Sequence, residues 1–218
     1  MYAISHASTA LVLKRAYPDA GLWPLLIAVQ LVELIWVVLT YLGIEHVRIV
    51  GDTVHLDFLP YSHSVMTGVV LALLVLAVMR PEQRRDVGLA IALGVLSHIA
   101  LDIIHHEPDI HLAPLAATPA IGFGLVKFPL FDFLVESAYC IVCWRYFRGS
   151  VALLAGIVLF NLLNLATMFP RAGTGATLAA HPAILTSLIL IEILLTWIAV
   201  WWLARKTLRS RYHGYDVA

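Results

Sequence analysis

The sequence predicts an all-α integral membrane protein, a bundle of about six transmembrane helices with a short helix at its N-terminus. Three observations carry that expectation. Of the 218 residues, 61% are hydrophobic and only 13% charged, about half the charge of a soluble domain, and the mean hydropathy is +0.89. Six apolar stretches approach the roughly 20 helical residues that cross a bilayer core of about 30 Å. Lysine and arginine also segregate between alternate loops, as they do in multi-pass proteins.

The elements follow in chain order. Residues 1–19 contain AISHASTALVL, about half a span at 1.5 Å per residue. This is either a surface helix or a half-helix rising into the bundle from Lys14 and Arg15. In the second case His6 sits about 12 Å above the basic pair, near the membrane middle. The expected spans are Leu22–Ile44, Tyr61–Met79, Val87–His105, Pro129–Phe147, Val151–Phe169 and Ala183–Ala204. Breakers or charges bound them, such as Pro18-Asp19 before the first and Arg80-Pro81 after the second. Residues 205–218 form a tail, and with no repeat or low-complexity segment the chain reads as one domain.

Six spans put eleven basic residues on one side: Lys14, Arg15, Arg80, Arg84, Arg85, Arg145, Arg148, Arg205, Lys206, Arg209 and Arg211. Three, Arg48, Lys127 and Arg171, fall on the other. Both termini and the tail are therefore expected in the cytoplasm, with the Glu45–Tyr61 and Glu107–Phe128 loops outside. The basic pair follows the first apolar stretch instead of preceding it, the reverse of a signal peptide.

Composition excludes some functions and opens others. A formal net charge of zero argues against a nucleic-acid partner, and membrane lipid is the expected surrounding; protein partners are left open. No nucleotide-binding glycine loop or serine-nucleophile elbow is present. Cys140 and Cys143 form a C-x-x-C inside the apolar run SAYCIVCW, where free thiols behave as small hydrophobes.

Ionisable groups inside a bilayer are costly and usually face a polar interior. Glu33, His98, Asp102, Asp132, Glu136 and Glu192 lie within the spans or at their ends, as helix–helix hydrogen-bond partners or as parts of a site. The third span, LSHIALDIIHHEPDI, places His98, Asp102 and His106 at i, i+4 and i+8, with His105 at i+7, all on one stripe of the helix. Imidazole and carboxylate groups one turn apart suit a divalent transition metal, zinc first, with manganese or iron as alternatives. Asp57 and His63, in LDFLPYSHS, lie at a similar depth, and Glu33 and Gln30 can approach from below. His46, His55, His111 and His181 read as exposed loop residues.

Several of these segments resemble the bacterial membrane-bound metal-dependent hydrolase-like proteins, a family of small multi-pass inner-membrane proteins. The likeness rests on QLVELIW, LGIE, PYSHS, LSHIALDIIHHEPDI and GFGLVKFPLFDFLVE, and runs over most of residues 20–148. It implies an inner-membrane location and polar positions at Glu33, Asp57, His63, His98, Asp102, His106, Asp109 and Glu136. Glu107 departs from the family's usual basic residue, and His105 beside His106 leaves open which of the two is the ligand.

The leading expectation is a metal-dependent hydrolase acting at the extracytoplasmic end of the bundle on a phosphoester or lipid. His63, His98, Asp102 and His106 would bind the metal, and Glu33, Asp57 or Glu136 would serve as general base. An ion or proton transporter using the same groups, and a non-catalytic assembly subunit, are the alternatives.

Overall fold

In a computed structural model, described for residues 1–50, 53–79, 85–114 and 118–211, each of the six apolar stretches holds helix. Helices α2 (Leu22–Ala28) and α3 (Leu31–Tyr41) divide the first stretch. Then come α4 (Val65–Val78), α5 (Arg85–His105), α6 (Pro129–Phe147) and α7 (Val151–Met168). A short α8 (Thr174–Ala180) precedes α9 (Pro182–Arg211). The ends obey local chemistry. Ser64 and Ser150 accept hydrogen bonds from Thr67 N and Leu153 N as N-caps, which satisfies backbone donors that a helix start leaves unpaired. Pro129, with no N–H to lose, opens α6.

Three of these helices, α5, α7 and α9, are long and apolar enough to cross a membrane; α2 and α3, bent by 54°, make a fourth if they count as one span. That is fewer than the six expected. The fourteen residues of α4 reach only about 21 Å, and the nineteen of α6 include Asp132, Glu136 and Arg145. The outer faces are nonetheless apolar. Leu73, Leu74 and Val78 of α4, Leu159 and Leu163 of α7, and Ile198 and Trp202 of α9 are all exposed, a surface suited to lipid and poorly suited to water.

Residues Ala3–Ala16 form α1, the most enclosed helix, with eleven of its fourteen residues buried. The half-helix entering the bundle is therefore the arrangement adopted, and a surface helix is not. Its neighbours include α2, α5, α6, α7 and α9. Alanines and hydroxyl residues let them approach closely, as small residues do between membrane helices. Thr9 Oγ1 lies 2.7 Å from the Tyr139 hydroxyl, and Lys14 at the lower end donates to the Pro18 and Ala20 carbonyls at 2.5 and 2.9 Å. Gly94 on α5 serves the same closeness, since a Cβ there would stand 3.0 Å from that of Ala28.

Between α3 and α4 the chain forms an antiparallel hairpin of β1 (His46–Val50) and β2 (Thr53–Phe58), in place of the loop expected there. The alternating residues around Gly51-Asp52 in VRIVGDTVHL are a hairpin signal. A second, minimal pair joins β3 (Ile110–His111) to β4 (Ala120–Ile121).

Candidate metal centre

The upper end of α5 contributes its stripe of polar residues to a buried cluster. His98 is 0% and Asp102 2% exposed, and their facing atoms, Nε2 and Oδ2, lie 3.0 Å apart. The break between α2 and α3 supplies the next constraint. There the Val29 carbonyl lies 2.8 Å from His98 Nδ1. A carbonyl can only accept, so Nδ1 carries the proton and Nε2 is left to face the cluster.

His63 is oriented by the same logic. The buried Glu45 carboxylate accepts from the Tyr61 and Ser62 backbone N–H groups at 2.7 and 2.9 Å, and from Ser62 Oγ at 2.6 Å. With its proton given to Glu45, Ser62 Oγ accepts from His63 Nδ1 at 2.8 Å. His63 Nε2 then points at Glu33 Oε2, 3.1 Å away, and at Asp102 Oδ2, 3.8 Å away. Glu33 Oε2 also lies 3.6 Å from His98 Nε2.

Two imidazole Nε2 atoms thus converge on two carboxylate oxygens, and in the neutral rings each Nε2 presents a lone pair. Lone pairs facing lone pairs repel unless protons or a cation stand between them. Glu33, His63 and His98 bring ligand atoms within 4.8 Å of one another, as do His6, His98 and Asp102. Outer partners that fix the far nitrogen of each histidine are a usual feature of metal sites. The donor set, two imidazoles and two carboxylates, fits a divalent transition metal.

His6 joins from α1. Its ring stacks on His98 with centroids 4.1 Å apart, and its Nε2 lies 3.2 Å from Asp102 Oδ1. Asp102 Oδ1 is also 2.6 Å from the Met1 amine. His106 stands at the rim, its ring 6.3 Å from that of His63 and its Nδ1 3.2 Å from Asp109 Oδ1. Burial pushes the His106 imidazole below its ordinary pKa, with Asp109 opposing the shift.

A loop holds this end of α5 in place. Phe123 N donates to the Ile103 carbonyl at 2.7 Å and Gly124 N to that of His106 at 2.6 Å, satisfying acceptors that a helix C-terminus leaves unpaired. Gly122 passes so close that a Cβ would run into the Glu107 carbonyl, and Gly124 adopts φ +70°, a conformation glycine tolerates. The acidic Glu107 pairs with Lys127 of the same loop at 3.0 Å.

Of the residues singled out in the sequence, Glu33, His63, His98 and Asp102 come together here. His106 and Asp109 form a pair beside them. Glu136 lies against α1, accepting from Ser5 Oγ at 2.6 Å and Tyr2 N at 3.2 Å. Gln30 turns away and donates to the Ala3 carbonyl at 3.1 Å. Asp57 falls in β2, and its side chain lies outside the described residues, as does that of His55. Glu192 is on α9 with a buried Oε1 that has no hydrogen-bond partner among the described residues. His46 and His181 are exposed, as expected, but His111 is half-buried and donates from Nδ1 to the Thr118 carbonyl at 2.9 Å. Both cysteines are free and buried. No family model, curated protein or solved structure matches the chain.

Proposed function

We propose that this chain is a multi-pass inner-membrane protein of about six membrane-inserted helices, holding a divalent metal on Glu33, His63, His98 and Asp102. Its activity would be hydrolysis of a phosphoester or lipid near headgroup depth on the extracytoplasmic side. One observation carries the reading: His63 and His98 each have Nδ1 committed to a fixed acceptor, so both Nε2 atoms are presented to the buried Asp102 carboxylate and the half-buried Glu33 carboxylate. A metal held there supplies Lewis acidity that makes water nucleophilic near neutral pH. Glu33 then serves as a ligand ahead of a base. His106, braced by Asp109 and at the rim of the cluster, is suited to accept the proton released from water. The proposed substrate follows from the resemblance to the hydrolase-like family and from the depth of the cluster.

Elemental analysis of the purified protein tests this, with wild type beside His98→Ala and Asp102→Asn. Zinc or manganese retained by wild type and depleted in both variants is the expected result. A wild type that stays empty after reconstitution with zinc, manganese and iron would sink the metal reading and the hydrolase with it.

A further inference from the structure

A separate set of groups lies on the other side of the α5 terminus. His105, one helix position from His106, faces α6, where Asp132 and Glu136 stand one turn apart. His105 Nδ1 is 3.2 Å from Asp132 Oδ1, 3.2 Å from Asp132 Oδ2 and 3.3 Å from Glu136 Oε1. Three carboxylate oxygens therefore converge on a single ring nitrogen, which carries at most one proton.

The bland reading is an imidazolium balancing buried acids, and its arithmetic fails. Asp132 is 1% exposed and Glu136 0%, and the Met1 ammonium, whose charge also bears on Glu136, is already paired with Asp102 at 2.6 Å, so His105 is left as the cation directly between the two carboxylates. Burying an underpaired charge is costly. The hydrogen bonding fails as well, because Asp132 Oδ2 is buried with no hydrogen-bond partner among the described residues. Glu136 is differently disposed. Its Oε2 is held by Ser5 Oγ and Tyr2 N, which turns Oε1 towards His105 in the way an outer shell aims a ligand.

We propose that His105, Asp132 and Glu136 form a second divalent-metal site, distinct from the one at Glu33, His63, His98 and Asp102. Ligand atoms of the three lie within 4.8 Å of one another. With one nitrogen and up to three carboxylate oxygens, this set is harder than that of the first site, which favours manganese over zinc. The pair would account for the two adjacent histidines at 105 and 106: they diverge around the helix, and His105 serves α6 while His106 serves the first site.

The test is manganese stoichiometry in the full-length protein in detergent, stripped with chelator and reloaded with Mn2+ alone. Wild type is expected to hold two equivalents, and both Asp132→Asn and His105→Ala one. His98→Ala reports on the first site independently. If it also falls to one and retains an ion that Asp132→Asn removes from the same background, the two sites are separate. An unchanged stoichiometry in Asp132→Asn overturns this proposal while leaving the first site standing. A wild type with one ion, sensitive to Asp132→Asn and indifferent to His98→Ala, sustains this proposal and shows that the first site does not take manganese. Should these variants fail to fold, His105→Cys loaded with Co2+ gives a direct readout. A thiolate-to-cobalt absorption band that wild type lacks is expected, and a folded variant without it overturns the site.

Discussion

At the scale of single residues, the first proposed metal site would depend on atoms that do not themselves serve as ligands. Ser62 passes the orienting effect of Glu45 to His63, and the Val29 carbonyl does the same for His98. Outer-shell partners of this kind are typically worth about 10–100-fold in metal affinity. Ser62→Ala should weaken binding by about that range with the ligands themselves intact, as read by competition against a calibrated chelator; unchanged affinity would remove Ser62 from the orienting chain. The sequence made part of this legible. His98 and Asp102 share a helix face through their four-residue spacing, and periodicity alone exposes such a pair. Ser62 and Glu45 carried no such signal, because their roles arise from a turn that folds back across 17 positions. His6 and Asp132 were equally hidden as members of the clusters, since only tertiary packing brings them to α5.

At the scale of elements, irregular pieces position the regular ones. The bend between α2 and α3 makes the Val29 carbonyl available to His98, and non-helical backbone at membrane depth is tolerated where protein surrounds it. The Gly122–Gly124 loop closes the end of α5 and so fixes the directions of His105 and His106. Gly122→Ala should force that loop off the Glu107 carbonyl at a cost of about 1–3 kcal/mol, the range for overpacking. Both the thermal midpoint in detergent and the metal content should fall; a variant unchanged in both would show that the loop is not a constraint on the helix end. Helix positions were readable from hydropathy, and α6 and α7 begin where expected. The lengths were not, because hydropathy counts apolar residues without marking where backbone geometry starts. The Tyr61–Met79 stretch spends its first residues on the turn that presents His63, leaving α4 with fourteen.

At the scale of the molecule, an apolar exterior surrounds a polar axis formed by α1 and the upper ends of α5 and α6. On the proposed membrane reading, the basic residues predict how this body sits in the bilayer. Cysteines introduced at the exposed positions His46 and Ser210 should separate cleanly in intact cells. A membrane-impermeant maleimide should label the first and spare the second, with the native Cys140 and Cys143 shielded by burial. The reverse pattern would invert the proposed orientation and move the metal centre to the cytoplasmic face.

The central position of α1 has a further consequence for biogenesis. Its polar groups are answered by partners encoded much later, since Ser5 and the Glu136 that it meets are 131 residues apart. When a ribosome has delivered only the first helices, α1 has no counterpart for those groups and no stable lodging within lipid. In the proposed membrane bundle it would wait at the surface until α6 emerges. On that reading the packing of α6 against α1 would come after Glu33, His63, His98 and Asp102 have all emerged, so an arrested insertion would leave the apolar helices in place with Ser5 and Glu136 unmet.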